Sequence, residues 1–302
     1  MSLTTTSDPD ALALPSIDRP SRGRAVKNAI ATVVMWTAFL IAVIPLVWVL
    51  WTVISKGYEL LLEPGWWTHS QQGVTIRREG GGAYHAIIGT LLQALVCALI
   101  SVPIGILTAI YLVEYGRGRF ARLVSFMVDI LTGVPSIVAA LFVYAVWVTT
   151  FGFDRVGFAV SLALVLLMIP VIVRSTEEML KLVPNELREA SYALGVPTWK
   201  TIMRVVLPTA FTGIVTGVLL GLARVMGETA PLLILGPYAK SINTNLFGGF
   251  QAALPTMIYQ DRTESLAPAV ARTWAAALTL IIVVLLLNLA GRLLARRFRV
   301  RT

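Results

Sequence analysis

The chain has 302 residues, of which 57% are hydrophobic and only 14% charged, with a mean hydropathy of +0.78. Soluble domains carry about 25% charged residues, so this composition belongs to a chain dissolved in lipid and excludes an ordinary soluble enzyme. The net charge of +9 sits in short clusters between long apolar runs, which removes the single basic face that nucleic-acid binding needs, and one cysteine (Cys97) with two histidines (His69, His85) excludes disulfide, thiolate-metal and histidine-rich metal sites.

In chain order, residues 1–27 form a polar, Ser/Thr/Asp/Pro-rich tail expected to be disordered. The first membrane helix follows at 28–54, too long and too far from the start for a cleaved signal. An outer loop at 55–85 ends in Gly80-Gly81-Gly82, which reads as a flexible hinge. A core at 86–294 holds five further segments near Ala86–Val113, Val124–Thr149, Gly157–Val173, Pro208–Leu235 and Ala269–Leu294, and a basic tail closes the chain at 295–302. Each of the six segments is about as long as a bilayer core about 30 Å thick requires. The fold class is therefore all-α, with six transmembrane helices.

Orientation follows from the cations. The N-terminal tail, residues 117–122, residues 174–204 and the C-terminus hold 17 of the 25 Lys and Arg, and six spans place all four on one side. That side is cytoplasmic, with both termini on it. Aromatic residues including Trp48, Trp51, Trp66, Trp67, Tyr238, Tyr259 and Trp274 gather at the opposite interface as an anchoring belt. Arg272 falls near the outer start of the sixth span, at that interface.

The connection at 174–207 is helical in pattern. Asn185 is placed to cap a helix that Gly195 and Pro197 end, and a second short helix starts at Thr198. Two amphipathic helices joined at Gly195 make a cytoplasmic knob, suited to docking on another protein or to lying on the membrane surface.

The fifth span carries Gly213, Gly217 and Gly221 at four-residue spacing, with Arg224 and Glu228 projected onto the same face at 100° per residue. Glycines so spaced let helices approach closely. A charge near mid-bilayer costs at least about 2.5–3.5 kcal/mol, so both charged residues should face the bundle interior or a water-filled path. They form either a neutralising i,i+4 pair that aids assembly or a substrate element, with Arg224 attracting an anion and Glu228 accepting a proton-bearing oxygen of it. In the third span, Thr132-Gly133-Val134-Pro135-Ser136 should interrupt the helix, either as a packing kink or to offer backbone amides to an anion. Thr229 follows Glu228 directly. Arg174 lines the inner mouth or anchors at the interface.

These stretches resemble a known family. Permease subunits of ABC importers carry Glu-Ala-Ala, three residues, Gly, nine residues, then Ile-x-Leu-Pro. This chain reads Glu189-Ala190-Ser191, Gly195 and Val205-Val206-Leu207-Pro208, with Ser191 for the second alanine and Val205 for isoleucine. Gly133-Val-Pro-Ser136, Ile169-Pro170 leading to Arg174, and Arg224-x-x-Gly227-Glu228-Thr229-Ala230-Pro231-Leu-Leu233 resemble the phosphate-specific, A-type branch of those permeases. The resemblance implies a MetI-like type I importer fold and a non-catalytic role, with Glu189, Ala190, Gly195, Leu207 and Pro208 docking on an ATP-binding subunit. It also implies inorganic phosphate as substrate, with Arg224, Glu228, Thr229, Thr132, Ser136 and Arg174 along its path. The implied partners are a second related permease, an ATP-binding subunit dimer, an extracytoplasmic phosphate-binding protein and the lipid bilayer. No phosphate-cradling G-x-x-x-x-G-K-[ST] stretch occurs, so the chain itself binds no cofactor, and ATP and Mg belong to the partner. A permease for another oxyanion (sulfate, molybdate) and a proton-coupled secondary transporter are the alternatives.

Overall fold

The computed structural model describes residues 22–297. The expectations for residues 1–21 and for the end of the basic tail, including Arg19, Arg299 and Arg301, lie outside the described residues. Among the described residues every regular element is a helix. In order they are α1 (Arg22–Leu61), α2 (Pro64–Thr68), α3 (Tyr84–Ile110, continued by a π-helical turn Tyr111–Tyr115), α4 (Gly118–Gly133) and α5 (Ser136–Val143, continued as a π-helical stretch Tyr144–Thr150). Then come α6 (Gly157–Lys181), α7 (Asn185–Ala193), α8 (Thr198–Thr201, joined by a π-helical turn Ile202–Val206 to α9, Leu207–Met226), α10 (Ala230–Leu235), α11 (Leu254–Asp261) and α12 (Ala267–Arg297).

Five helical stretches are long and apolar enough to cross a membrane: Arg22–Leu61, Tyr84–Tyr115, Gly157–Lys181, Thr198–Met226 and Ala267–Arg297. The sixth expected segment is a pair, Gly118–Gly133 and Ser136–Thr150, bent by 107°. Pro135 causes the bend. Its ring disfavours helical backbone at the preceding residue, and Val134 is extended (φ −70°, ψ 125°).

The chain divides into one compact unit ending at Thr52 and a second beginning at Val53. In the first, α1 begins at Arg22 and not at residue 28, so Arg22, Arg24 and Lys27 are helical, and no described residue up to Thr52 is buried. An apolar helix without buried faces matches a lipid solvent.

The second unit is built around α6, which packs against α3, α9, α4, α5 and α10. Ala159, Ala163, Met168 and Ile172 of α6 are fully buried. Gly213, Gly217 and Gly221 of α9 lie against Met179, Ser175 and Met168 of α6, and the absence of side chains there sets how closely the two helices approach.

Further readings from the sequence differ. Helix α6 continues through Arg174–Lys181, so the hairpin begins at Leu182 and not at 174; Glu177 and Lys181 make an i,i+4 ion pair at 2.7 Å that supports this extra length. The fifth span is not continuous from Pro208 to Leu235. It stops at Met226 and restarts at Ala230, because Pro231 has no N–H and its ring would meet the Gly227 carbonyl of an unbroken helix. Helix α7 starts at Asn185 with Pro184 in the capping position, so Asn185 caps nothing; its Oδ1 instead accepts a bond from Arg188 at 3.3 Å. Of Gly80–Gly82, Gly82 is fixed by packing: a side chain there would run into the Trp66 carbonyl at 2.8 Å, and the next residue, Ala83, is fully buried with its N–H on that same carbonyl. Trp66 likewise leaves the aromatic belt. It is 1% exposed and donates to Thr279 Oγ1 at 2.8 Å, tying α2 to α12.

Candidate functional site

The bent pair α4–α5 and the broken pair α9–α10 are the two discontinuities of the core, and their second halves meet: α5 packs against α10, with Ala140, Val143, Leu232 and Leu235 in one buried cluster. Discontinuous membrane helices expose backbone polar groups that a continuous helix would satisfy internally. Ser136, half-buried, is the first residue of α5; Thr132, exposed, lies in the last turn of α4 with its hydroxyl donated to the Val128 carbonyl at 2.9 Å.

Arg224 lies in the last turn of α9, and Glu228 follows two residues after the helix ends. The projection of Glu228 onto the glycine face therefore fails, since the helical angle stops applying at Gly227. The pair nevertheless survives as a loose contact of 3.8 Å between Arg224 Nε and Glu228 Oε1. The Arg224 side chain is 56% exposed, against 19% for Glu228. Thr229, half-buried, precedes α10, and its carbonyl accepts the Leu233 N–H at 3.1 Å. An exposed guanidinium with one long contact keeps most of its five donors free for an anion.

Arg174 is engaged quite differently. It reaches from α6 to α4, donating to Asp129, to Ser125 Oγ at 2.9 Å and to the Ser125 carbonyl at 3.1 Å, and it pairs with Glu177 at 2.5 Å. The geometry gives it a bracing contact between the first half of the bent pair and the central helix.

The hairpin α7–α8 presents Glu189, Ala190 and Gly195 to the surface, with Leu207 and Pro208 half-buried where the chain re-enters the core. Gly195 has φ +73°, a conformation that L side chains rarely adopt, so it ends α7 and reverses the chain. Ser191 bonds Thr201 across the hairpin at 2.8 Å, both residues being buried, so the departure from alanine supplies the bolt between the two helices. Leu194, Trp199 and Met203 are 83%, 61% and 60% exposed, an apolar face with no cover.

Two polar clusters escaped the sequence reading. In the first, Arg188 of α7 binds Glu114 at the end of the second span, at 2.9 and 3.3 Å. In the second, Arg272 is 3% exposed and faces Asp261 at 3.6 Å, so it is buried and not interfacial. Asp261 also accepts from Gln71 at 3.3 Å, Gln71 accepts from the Tyr238 hydroxyl at 2.7 Å, and His85 Nε2 lies 3.1 Å from that hydroxyl. Burial, with the Asp261 charge, raises the Tyr238 phenol above its ordinary range, which keeps it a donor. The signal for each was a charge at the edge of an apolar run, Glu114 after the second span and Arg272 at the start of the sixth.

Residues 101–300 match the family of the binding-protein-dependent transport system inner membrane component, and the chain belongs to that family of multi-pass inner-membrane permeases. Within it the similarity is to PstA-type chains. The chain is 56% identical to phosphate transport system permease protein PstA 1 of Mycobacterium tuberculosis over 281 residues, covering 93% of this chain and 92% of that one. It is 53% identical to PstA of Mycobacterium leprae (94% and 97% covered) and 37% identical to PstA of Yersinia pestis (94% and 95%). Among solved structures, an inward-facing form of the MetNI methionine ABC transporter superposes with a TM-score of 0.56 at 22% identity, covering 72% of this chain and 94% of that one. A bacterial ABC transporter involved in alginate import gives 0.59 at 17%, covering 91% and 99%. At these identities the likeness is one of fold.

Proposed function

We propose that this chain is a transmembrane permease subunit of an ATP-driven importer of inorganic phosphate, forming half of the translocation path with a second, related permease. The 56% identity to a phosphate transport permease over 93% of the chain carries this reading, since it spans both helix breaks and the hairpin. Both termini are cytoplasmic on the distribution of cations. The exposed hairpin face then meets a dimer of ATP-binding subunits, which use ATP and Mg, and an extracytoplasmic phosphate-binding protein delivers substrate to the other side.

In this mechanism Arg224 supplies positive charge beside the break in α9–α10. Phosphate at neutral pH keeps a P–OH that donates to Glu228, whereas sulfate has none and would face an unsatisfied like charge. ATP drives the cycle only by binding one state of the paired bundles better than the other, and the hairpin carries that difference to the membrane helices.

Co-reconstitution with the partner subunits tests the reading. Glu189→Ala or a bulky residue at Gly195 should uncouple ATP hydrolysis from phosphate uptake; coupled uptake at wild-type level in both would overturn the docking role. Glu228→Gln should admit sulfate as a competitor, and unchanged discrimination would remove Glu228 from selectivity.

A further inference from the structure

Arg188 sits one residue before Glu189 in the docking helix, yet it points inward, with its side chain 12% exposed. A guanidinium has five N–H donors in a fixed fork. Arg188 uses five: Nε and one Nη2 hydrogen on Glu114 Oε1 (3.3 and 2.9 Å), the other Nη2 hydrogen on the Leu180 carbonyl (2.9 Å), and Nη1 on the Val183 carbonyl (2.6 Å) and Asn185 Oδ1 (3.3 Å). One side chain thus joins three elements: α7 itself, the end of α6 and its following turn, and the π-helical end of α3. Glu114 is 6% exposed, so its charge has left water and depends on Arg188.

The far end of α3, about 35 Å away by helical rise, holds a second segment. Thr90 Oγ1 accepts the Leu254 N–H at 2.8 Å, Gln93 donates to Gln251 Oε1 at 3.0 Å, and the bare backbone of Gly89 makes room for the Ala252 carbonyl. Helix α3 is therefore fastened to the docking helix at one end and to the stretch Gln251–Leu254 at the other.

We infer that Arg188 is a positioning residue for transport: through Glu114 it makes α3 follow any displacement of the docking helix, and α3 in turn moves Gln251–Leu254. This rests on the hairpin docking an ATP-binding subunit. The hairpin's apolar face makes the contact; Arg188 transmits it. Lysine keeps the charge but has three donors on one nitrogen, so it cannot hold Glu114 and the α6 carbonyls together. Glu114→Gln keeps an acceptor and removes the buried charge.

The test purifies the whole importer carrying Arg188→Lys or Glu114→Gln, and measures subunit ratio, ATP hydrolysis and phosphate uptake in proteoliposomes. If Arg188→Lys assembles poorly, Glu114→Gln keeps the test available, because the amide oxygen still accepts from Arg188 and the guanidinium keeps the Leu180 and Val183 carbonyls and Asn185 Oδ1. Wild-type subunit ratio, ATP hydrolysis within about twofold of wild type and uptake per ATP lowered about fivefold or more, the lower range of site-to-site coupling, are expected in at least one variant. Uptake and hydrolysis falling in the same proportion in both variants, or uptake per ATP unchanged, would overturn it. If Glu189→Ala uncouples while these variants do not, only the Arg188 inference falls. A wild-type complex that purifies without an ATP-binding subunit would overturn the docking reading and this inference together.

Discussion

The hairpin end of the core and the α9–α10 break each centre on an arginine beside a glutamate, and the two pairs are built in opposite ways. At the hairpin Arg188 is 12% exposed, fully hydrogen-bonded and held to Glu114 at 2.9 Å. At the break Arg224 is 56% exposed and touches Glu228 only at 3.8 Å. Burial makes an ion pair intolerant of losing one partner, because the remaining charge has no water to turn to. A contact of 3.8 Å with one partner exposed leaves the other pair weak and exchangeable. The same two residue types therefore serve as a joint in one region and as an available charge in the other.

The Arg272–Asp261 pair belongs with the buried kind, at 3% and 7% exposure, and gives the largest expected effect. Asp261→Ala leaves the Arg272 guanidinium buried without its counter-charge, at a cost of about 3–5 kcal/mol in stability. Thermal unfolding in detergent should show it, with transport lost in proportion to the folded protein recovered. Arg224→Ala should do the reverse. Unfolding should move by no more than about 0.5 kcal/mol, as for an exposed substitution. Phosphate uptake should fall by about tenfold or more, the worth of a charged hydrogen bond of about 1.5–3 kcal/mol. If Arg224→Ala lowered stability and uptake together, the contrast between the regions would be lost.

How much of this was legible in the sequence follows from how local each signal is. The apolar runs, the Gly-Val-Pro interruption and the Gly195 reversal depend on a few adjacent residues, and the structure has them near the positions read from the sequence. The end of α9 was equally local, since Pro231 forbids a helix through Gly227, but an apolar run masked it. Arg188–Glu114 and Gln71–Asp261 were not legible, because these partners are 74 and 190 residues apart and meet only through the packing of the core. Trp66 failed for a related reason: hydropathy places a tryptophan near an interface but does not say whether another helix covers it. Of the candidate path residues, Arg224 and Glu228 come together, whereas Arg174 is engaged by Asp129, Ser125 and Glu177 on the α4–α6 side.

Between the two arginine regions lies the α6–α9 contact, and Gly217 tests whether it is a rigid support. A side chain at Gly217 would collide with Ser175, so Gly217→Leu should cost about 1–3 kcal/mol as an overpacked core does. Stability recovered by a compensating Ser175→Gly would show that the collision, and not a lost polar contact, is the cause. The smallest effect belongs to Arg174. Its partner Asp129 is 63% exposed, so Asp129→Asn should shift unfolding by less than about 1 kcal/mol. The replacement keeps an acceptor for Arg174, and Glu177 and Ser125 remain to hold the guanidinium against α4. A large loss of uptake from Asp129→Asn at unchanged stability would move this pair from bracing to gating, and would add a second exchangeable arginine to the candidate path.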